Sequence, residues 1–141
     1  LGRFIHMGID TYSFISALNC IAAQRLVRVL CPLCKKPVTP GKADLAYNRI
    51  EKGFFTQPVF RAAGCEECSG LGYSGRTAIG EILELTDEIK EMSLARKPTS
   101  EIKKVAMEQG MTPIRRNGLE RVKAGVTSIE ELNRVTVKEW V

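Results

Sequence analysis

The apolar residues near the start of the chain recur at intervals of three and four. Asp10 or Thr11 is a candidate helix cap, and the apolar positions that follow it are Phe14, Ile15, Leu18, Ile21, Ala22, Leu26, Val29 and Leu30. This spacing is typical of an amphipathic helix. We therefore predict a helix over about residues 12–29, which Pro32 would end.

The pattern changes in the second half of the chain. Residues 77–85 alternate roughly between apolar and polar side chains and predict a strand. Four helices should follow, because residues that cap helices recur before each apolar stretch. The predicted caps are Thr86, Thr99 or Ser100, Thr112 with Pro113 in the first turn, and Ser128 in a capping box with Glu131. The basic residues of the third of these helices, Arg115 among them, are expected on a solvated face.

The segment between these halves is rich in Gly and Pro, and a C-x-x-C pair lies at each end of it. A short helix is expected over residues 44–51 and a short strand over residues 58–61, while Gly70, Gly72 and Gly75 indicate tight turns. The predicted fold class is mainly α, with a few short strands and a small metal-binding insert. The predicted domains are residues 1–30 (helical), 31–76 (the insert) and 77–141 (a strand followed by helices).

The two C-x-x-C pairs indicate a metal site. Cys31 and Cys34 form one pair, and Cys65 and Cys68 form the other. Zinc prefers four tetrahedral ligands and binds thiolates strongly, so four cysteines would enclose one ion and leave no position for water. We predict structural Zn²⁺ at this site. Iron in the same site, or reduced thiols without metal, are the alternatives.

Composition narrows the possible functions. The 141 residues carry a formal net charge of +5, and the longest nearly uncharged stretch is too short to span a bilayer. No signal peptide is evident. The fifth cysteine, Cys20, is expected in the core, and His6, the only histidine, has no nucleophile motif around it. No phosphate-binding G-x-x-x-x-G-K-[ST] motif occurs, so no residue is assigned a catalytic or nucleotide-binding role.

Three other classes of zinc or thiol protein fit parts of this pattern. A zinc ribbon that binds nucleic acid would require a concentrated basic face with exposed aromatic residues, and only 6% of the residues are aromatic. A chaperone-type zinc module fits the C-E-E-C-S-G-L-G segment, but here that segment occurs once. A thiol redox enzyme would place its C-x-x-C at the start of a helix that follows a strand, whereas Cys31 is expected directly after the helix predicted over residues 12–29.

Four segments together resemble one family. MGI at 7–9, AAQRLVRVLCPLCK at 22–35, GCEECSGLGYSGRTAIGEIL at 64–83 and KAGVTSIEELNRV at 123–135 are similar to the bacterial type II secretion and type IV pilus assembly ATPases. The resemblance covers nearly the whole chain. It implies a cytoplasmic homo-hexamer, peripheral to the inner membrane, that uses ATP and Mg²⁺ to drive pilus or pseudopilus assembly and protein export.

The resemblance also implies partners and a place in the parent protein. The partners would be an inner-membrane platform protein and a membrane-recruiting protein, with no nucleic acid. Residues 1–30 and the strand at 77–85 would belong to a RecA-like ATPase domain, and a helical subdomain would follow. The family's phosphate loop, acidic Mg²⁺-binding segments and histidine-containing segment are not found in this chain, so the resemblance implies that they lie upstream. Because the first residue, Leu1, is not Met, the chain is expected to be a fragment of a longer protein. Only the four cysteines are carried over as site residues, and the fragment alone is expected to be inactive.

Overall fold

The computed structural model describes residues 7–139. Within them the elements follow in the order α1 (Thr11–Ala17), β1 (Cys20–Leu30), β2 (Lys36–Val38), α2 (Lys42–Tyr47), β3 (Val59–Arg61), β4 (Tyr73–Glu84), α3 (Asp87–Leu94), α4 (Thr99–Glu108), α5 (Ile114–Lys123) and α6 (Ile129–Val135). The described residues thus contain six helices and four strands, which agrees in outline with the predicted class of mainly α with a few strands. Every helix among them falls short of the length and apolar character needed to cross a membrane.

The long helix predicted over residues 12–29 is wrong. Only α1 is helical, since Leu18 adopts an extended conformation and a strand begins at Cys20. The β-branched residues Ile21, Val27 and Val29 favour an extended chain, and pairing with β4 supplies the backbone hydrogen bonds that a helix would have made internally. Tertiary pairing therefore overrides the helical spacing of the apolar positions.

Two sheets of two strands each are present in the described residues. β1 pairs with β4, and hydrogen bonds from Leu85 N to Asn19 O (2.8 Å) and from Cys31 N to Gly72 O (3.0 Å) mark an antiparallel arrangement. β2 pairs antiparallel with β3, with Pro37 opposite Phe60. The strands predicted at 58–61 and 77–85 are confirmed as β3 and as part of the longer β4.

The four helices predicted after residue 85 are confirmed, but the N-cap residues predicted for two of them are wrong. Thr86 caps α3 by accepting a hydrogen bond from Ile89 N, and Ser128 caps α6 by accepting one from Glu131 N. The N-cap positions of α4 and α5 are Pro98 and Pro113, so the caps predicted at Thr99, Ser100 and Thr112 are wrong. Both prolines have extended backbone angles and no side-chain hydrogen bond, so the fixed φ of proline sets these starts.

Arg115 also departs from its predicted solvated position. Its side chain is buried and donates hydrogen bonds to Asn48 O (2.8 Å), Asn133 Oδ1 (3.1 Å) and Thr136 Oγ1 (3.0 Å). The guanidinium therefore joins the end of α2 to α6 and the residue after it. The three acceptors lie 18 to 67 residues away in sequence, so no local pattern could indicate them.

The chain divides into two compact units. The described part of unit 1 is residues 7–23 and 81–112, and its core contains Leu85, Ile89 and Ala106. The described part of unit 2 is residues 24–80 and 113–139, and its core consists of Val27, Ile50, Val59, Ile79, Leu119, Val122 and Leu132. This division by packing does not coincide with the three predicted domains, which stay a prediction about the parent protein.

Candidate metal centre

The sulfur atoms of Cys31, Cys34, Cys65 and Cys68 lie within 4.8 Å of one another. The Sγ–Sγ distance is 3.9 Å for Cys31 and Cys65, 3.8 Å for Cys34 and Cys68, and 3.6 Å for Cys65 and Cys68. A tetrahedral ion with metal–sulfur bonds of about 2.3 Å would place its sulfurs about 3.8 Å apart. The spacing therefore fits one shared ion, and all four thiols are free of disulfides.

The first pair of cysteines forms a turn directly after β1. Cys34 N and Lys35 N donate to Cys31 O, at 3.4 and 3.1 Å, and this turns the chain so that both sulfurs are on one side. Cys31 N donates to Gly72 O, which joins the turn to the residue before β4. Cys31 is only 1% exposed, so its sulfur is well shielded from water.

The second pair lies in a turn that needs glycine. Gly70 N donates to Cys65 O (2.8 Å), and Gly64 has a φ of +97° with its absent Cβ position only 2.5 Å from Gly70 O. Any side chain at Gly64 would collide with this backbone. The turns predicted at Gly70, Gly72 and Gly75 are confirmed by positive φ angles, whereas Gly64 was not singled out.

Two backbone amides donate hydrogen bonds to the Cys68 sulfur. Burial raises the pKa of Cys68, but the N–H donors of Cys65 (3.3 Å) and Gly72 (3.1 Å), together with the neighbouring Cys65 and Cys34 thiols, outweigh burial and lower the pKa to about 6. For Cys65, a backbone hydrogen bond to Cys68 lowers the pKa, yet burial and the neighbouring sulfurs together raise it to about 11. The Cys68 thiolate thus forms readily, whereas a bound cation would be needed to deprotonate Cys65.

The first cysteine turn is anchored to the end of α5. Lys35 Nζ donates to Gly125 O at 2.9 Å and lies 4.6 Å from the centre of the Phe60 ring. Gly125 packs so closely on Phe60 that an added Cβ would come within 2.9 Å of it. Lys35, β3 and the α5 terminus therefore hold the cysteine turns against the core of unit 2. No sequence pattern indicated this anchor, since Gly125 is 90 positions from Lys35 and 65 from Phe60.

A second polar cluster in unit 2 is centred on Glu131. Its carboxylate accepts from Arg28 Nε (2.8 Å), Arg28 N (3.0 Å) and Arg134 Nη2 (2.7 Å). The predicted capping box is thus only half formed, because the Glu131 side chain bonds these groups rather than its own helix start. Burial alone would raise the pKa of Glu131, but the hydrogen bonds from Arg134 and Arg28 lower it to about 2.

Of the two other residues considered in the sequence, only Cys20 lies within the described residues. Cys20 is exposed at the start of β1, so its predicted core position is wrong, and the sulfur cluster does not include it. His6 lies outside the described residues. The donor set is therefore four sulfurs, which suits a closed structural site because protein atoms fill every tetrahedral position.

Comparison with known proteins finds one matching family model and several similar proteins. A family model described as "Type II/IV secretion system protein" matches residues 1–134. The chain is 40% identical over 140 residues to the type II secretion system ATPase E of Vibrio cholerae, covering 95% of the chain and 26% of that protein. It is 35% identical over 136 residues to the type IV pilus assembly ATPase PilB of Myxococcus xanthus, covering 94% and 24%. The chain thus spans about a quarter of the length of these relatives.

Proposed function

This chain belongs to the type II/IV secretion system protein family, and we propose that it is the zinc-holding C-terminal part of an ATPase that powers pilus or pseudopilus assembly and protein export. The sulfur cluster carries the metal part of this proposal. Cys31, Cys34, Cys65 and Cys68 would hold one Zn²⁺ as thiolates, and the ion would join two turns whose leucines, Leu33 and Leu71, are exposed.

The chain's own residues prepare the site for the ion. The N–H groups of Cys65 and Gly72 point at the Cys68 sulfur and offset its negative charge, while the Lys35 ammonium holds the first turn to Gly125. Zinc supplies no redox chemistry, and four cysteine ligands leave no coordination position for water or substrate. The ion would therefore stabilise and rigidify the fold. The predicted three domains, with residues 31–76 as the metal-binding insert, are part of this proposal.

The parent protein would be a cytoplasmic hexamer peripheral to the inner membrane. It would bind ATP and Mg²⁺ through a phosphate loop upstream of this chain, and it would work with an inner-membrane platform protein and a membrane-recruiting protein. Relatives named for pilus assembly and for secretion match at similar identity, 33–36% and 34–40% among those compared, so assembly driven by ATP is the shared part of the proposal.

The strands support the link to a RecA-like domain. β1 and β4 are 11 and 12 residues long and pair only with each other among the described residues. Ile21, Leu26 and Ile82 on these strands are 39%, 50% and 63% exposed. Exposed apolar residues on a long two-stranded sheet fit a sheet that continues in the parent, since such a sheet is only marginally stable alone.

Metal analysis tests the site directly. Native mass spectrometry of the purified chain should show one zinc ion per chain, and Cys68→Ser should abolish it while the exposed Cys20→Ser leaves it unchanged. Iron, two ions or an intact metal-free fold with the same stability would contradict the zinc proposal.

Hydrolysis measurements test the ATPase part. The isolated chain should not hydrolyse ATP, whereas the parent protein should, and Cys68→Ser in the parent should lower its activity by weakening the fold near the insert. Hydrolysis by the isolated chain, or a parent with no ATP turnover, would overturn the assignment.

A further inference from the structure

Three arginines surround one open depression in unit 2. Arg28, Arg76 and Arg134 line it together with Leu26, and its volume is about 440 Å³. No carboxylate is among the residues that line it in the described part of the chain. Like charges that share a small surface repel one another, so this convergence needs either an internal counter-charge or an external anion.

The internal counter-charge is Glu131, and it neutralises only part of the cluster. Its buried carboxylate lies 2.7 Å from Arg28 Nη2 and 2.7 Å from Arg134 Nη2. Both oxygens already accept several hydrogen bonds, so the carboxylate has no capacity for a third arginine. Three positive charges against one negative charge leave a balance of +2 at the depression.

The same carboxylate orients the two guanidinium groups. Each presents its Nε and one Nη to Glu131, so the opposite edge, with Nη1, faces away from the carboxylate. The side chains of Arg28 and Arg134 are 41% and 56% exposed, which leaves their outer parts open to solvent. The Arg28 guanidinium also stacks on the Tyr73 ring, with its Cζ 4.2 Å from the ring centre. Tyr73 OH in turn is hydrogen-bonded to Ser128 Oγ at 2.8 Å.

Arg76 completes the depression from β4. It is exposed, and within residues 7–139 its side chain makes no hydrogen bond or ion pair. An unpaired arginine beside two preoriented ones supplies the third set of donors, and guanidinium groups match the oxygens of phosphate and carboxylate well.

We propose that this depression binds a phosphate group. The balance of +2 matches a phosphate dianion, and three guanidinium groups suit its tetrahedral oxygens better than the two oxygens of one planar carboxylate. Leu26 is the single apolar residue of the lining, so the phosphate rather than an attached apolar group is recognised. The phosphate can belong to a small molecule or to a lipid headgroup, and the proposal depends on neither zinc nor ATP hydrolysis.

The test measures binding to the metal-loaded chain. Inorganic phosphate and pyrophosphate are titrated by calorimetry, and the Nε–H NMR signals of arginines are followed in parallel. Vesicles of phosphatidylcholine with and without phosphatidic acid form the lipid arm. Arg76→Gln should weaken binding by about tenfold or more through loss of charged hydrogen bonds, without altering the fold. Arg121→Gln, an exposed arginine of α5, removes the same charge elsewhere and should change binding less than about twofold.

The outcomes separate the sources and can overturn the proposal. Saturable binding of inorganic phosphate that depends on Arg76 supports a small-molecule source, and Arg76-dependent binding to phosphatidic acid vesicles alone supports a lipid source. Absence of saturable binding in both arms, or equal weakening by Arg121→Gln, would refute the site. Equal affinity for glutarate, with the same dependence on Arg76, would also refute it and would favour an acidic protein segment instead.

Discussion

The two compact units differ in how each is stabilised. Unit 1 has a small apolar core around Ile89 and Ala106, and two of its ion pairs, Lys97–Glu101 and Lys104–Glu108, are exposed i,i+4 pairs at 4.0 Å. Such pairs contribute little. Unit 2 has a larger apolar core and, in addition, the sulfur cluster and the buried carboxylate of Glu131.

The units also differ in the polar contacts that join distant parts of the chain. In unit 2, Arg28 and Glu131 are 103 residues apart and Lys35 and Gly125 are 90 apart, yet each pair is in hydrogen-bond contact. In unit 1 the two ion pairs named above are local, and the long-range polar contact from Lys90 Nζ to Ser16 O (3.3 Å, 74 residues apart) is exposed. Changes to polar groups should therefore affect unit 2 strongly and unit 1 weakly.

The largest effect is expected from Cys68→Ser. Loss of a thiolate should release the metal, whose binding in zinc-finger peptides corresponds to roughly 10–16 kcal/mol of apparent free energy. If the predicted domain 31–76 were an independent unit, losing a ligand would unfold residues 31–76 and spare every helix after Thr86. The structure changes this expectation, because Val59 shares a core with Leu119 and Val122.

Hydrogen exchange should distinguish these two expectations. Amides of α5 and α6 should lose protection together with the cysteine turns, while α3 and α4 keep theirs. Cys20→Ser is the matched control, because Cys20 is exposed and outside the cluster. Equal loss of protection in α3 and α4 would mean that the units do not respond separately.

The second-largest effect is expected from a core substitution in unit 1, which should leave the metal site of unit 2 unchanged. Ile89 is fully buried, so Ile89→Ala should leave a cavity and lower the free energy of unfolding of this unit by about 2–5 kcal/mol. Exchange in α3 and α4 should accelerate while zinc content stays at its original value. Ile82→Ala, at a 63% exposed position of the same unit, should cost far less. Loss of zinc in Ile89→Ala would contradict the independence of the two units.

The third effect concerns the Glu131 carboxylate and pH. Its pKa is about 2 in the folded chain against an ordinary value of 4.5, so it stabilises unit 2 fully above about pH 4.5 and loses this contribution as pH falls towards 2. The shift corresponds to about 2–3 kcal/mol, allowing for the solvent exposure of both arginines.

Denaturation of matched variants isolates this contribution. Glu131→Gln should lower the free energy of unfolding at pH 7 relative to the wild type, and the gap should shrink as the pH is lowered from 5 to 2. Glu130→Gln removes the neighbouring, exposed carboxylate of α6 and should leave stability nearly unchanged. A gap between Glu131→Gln and the wild type that does not depend on pH would show that packing, not charge, is responsible.

Local signals predicted the features that depend on local geometry. The C-x-x-C spacing indicated the four cysteines whose sulfurs cluster. Thr86 and Ser128 were correctly identified as caps, because each acts within three residues of its partner. The periodic apolar pattern at 12–29 failed because strand pairing across about 50 residues decided the conformation. Lys35, Glu131 and Arg115 were missed as anchors for the same reason, since their partners are distant in sequence.

The smallest effect is expected from deleting the cap of α3. Thr86 Oγ1 accepts from Ile89 N at 3.4 Å and donates to Gln109 Oε1 at 3.0 Å, so Thr86→Ala removes one cap bond and one surface bond. The cost should be about 1 kcal/mol, measured by denaturant unfolding of unit 1. Thr86→Ser keeps the hydroxyl and should recover most of this loss.

The corresponding change in unit 2 should cost more. Ser128 Oγ is buried, accepts from Glu131 N at 3.2 Å and is bonded to Tyr73 OH at 2.8 Å, so Ser128→Ala leaves groups unpaired away from water. We expect the loss to exceed that of Thr86→Ala by about 1 kcal/mol, because buried polar groups cannot turn to solvent for a replacement partner. If the two alanine variants lost equal stability, buried polar groups would not be what distinguishes unit 2 from unit 1, and its larger apolar core would account for the difference.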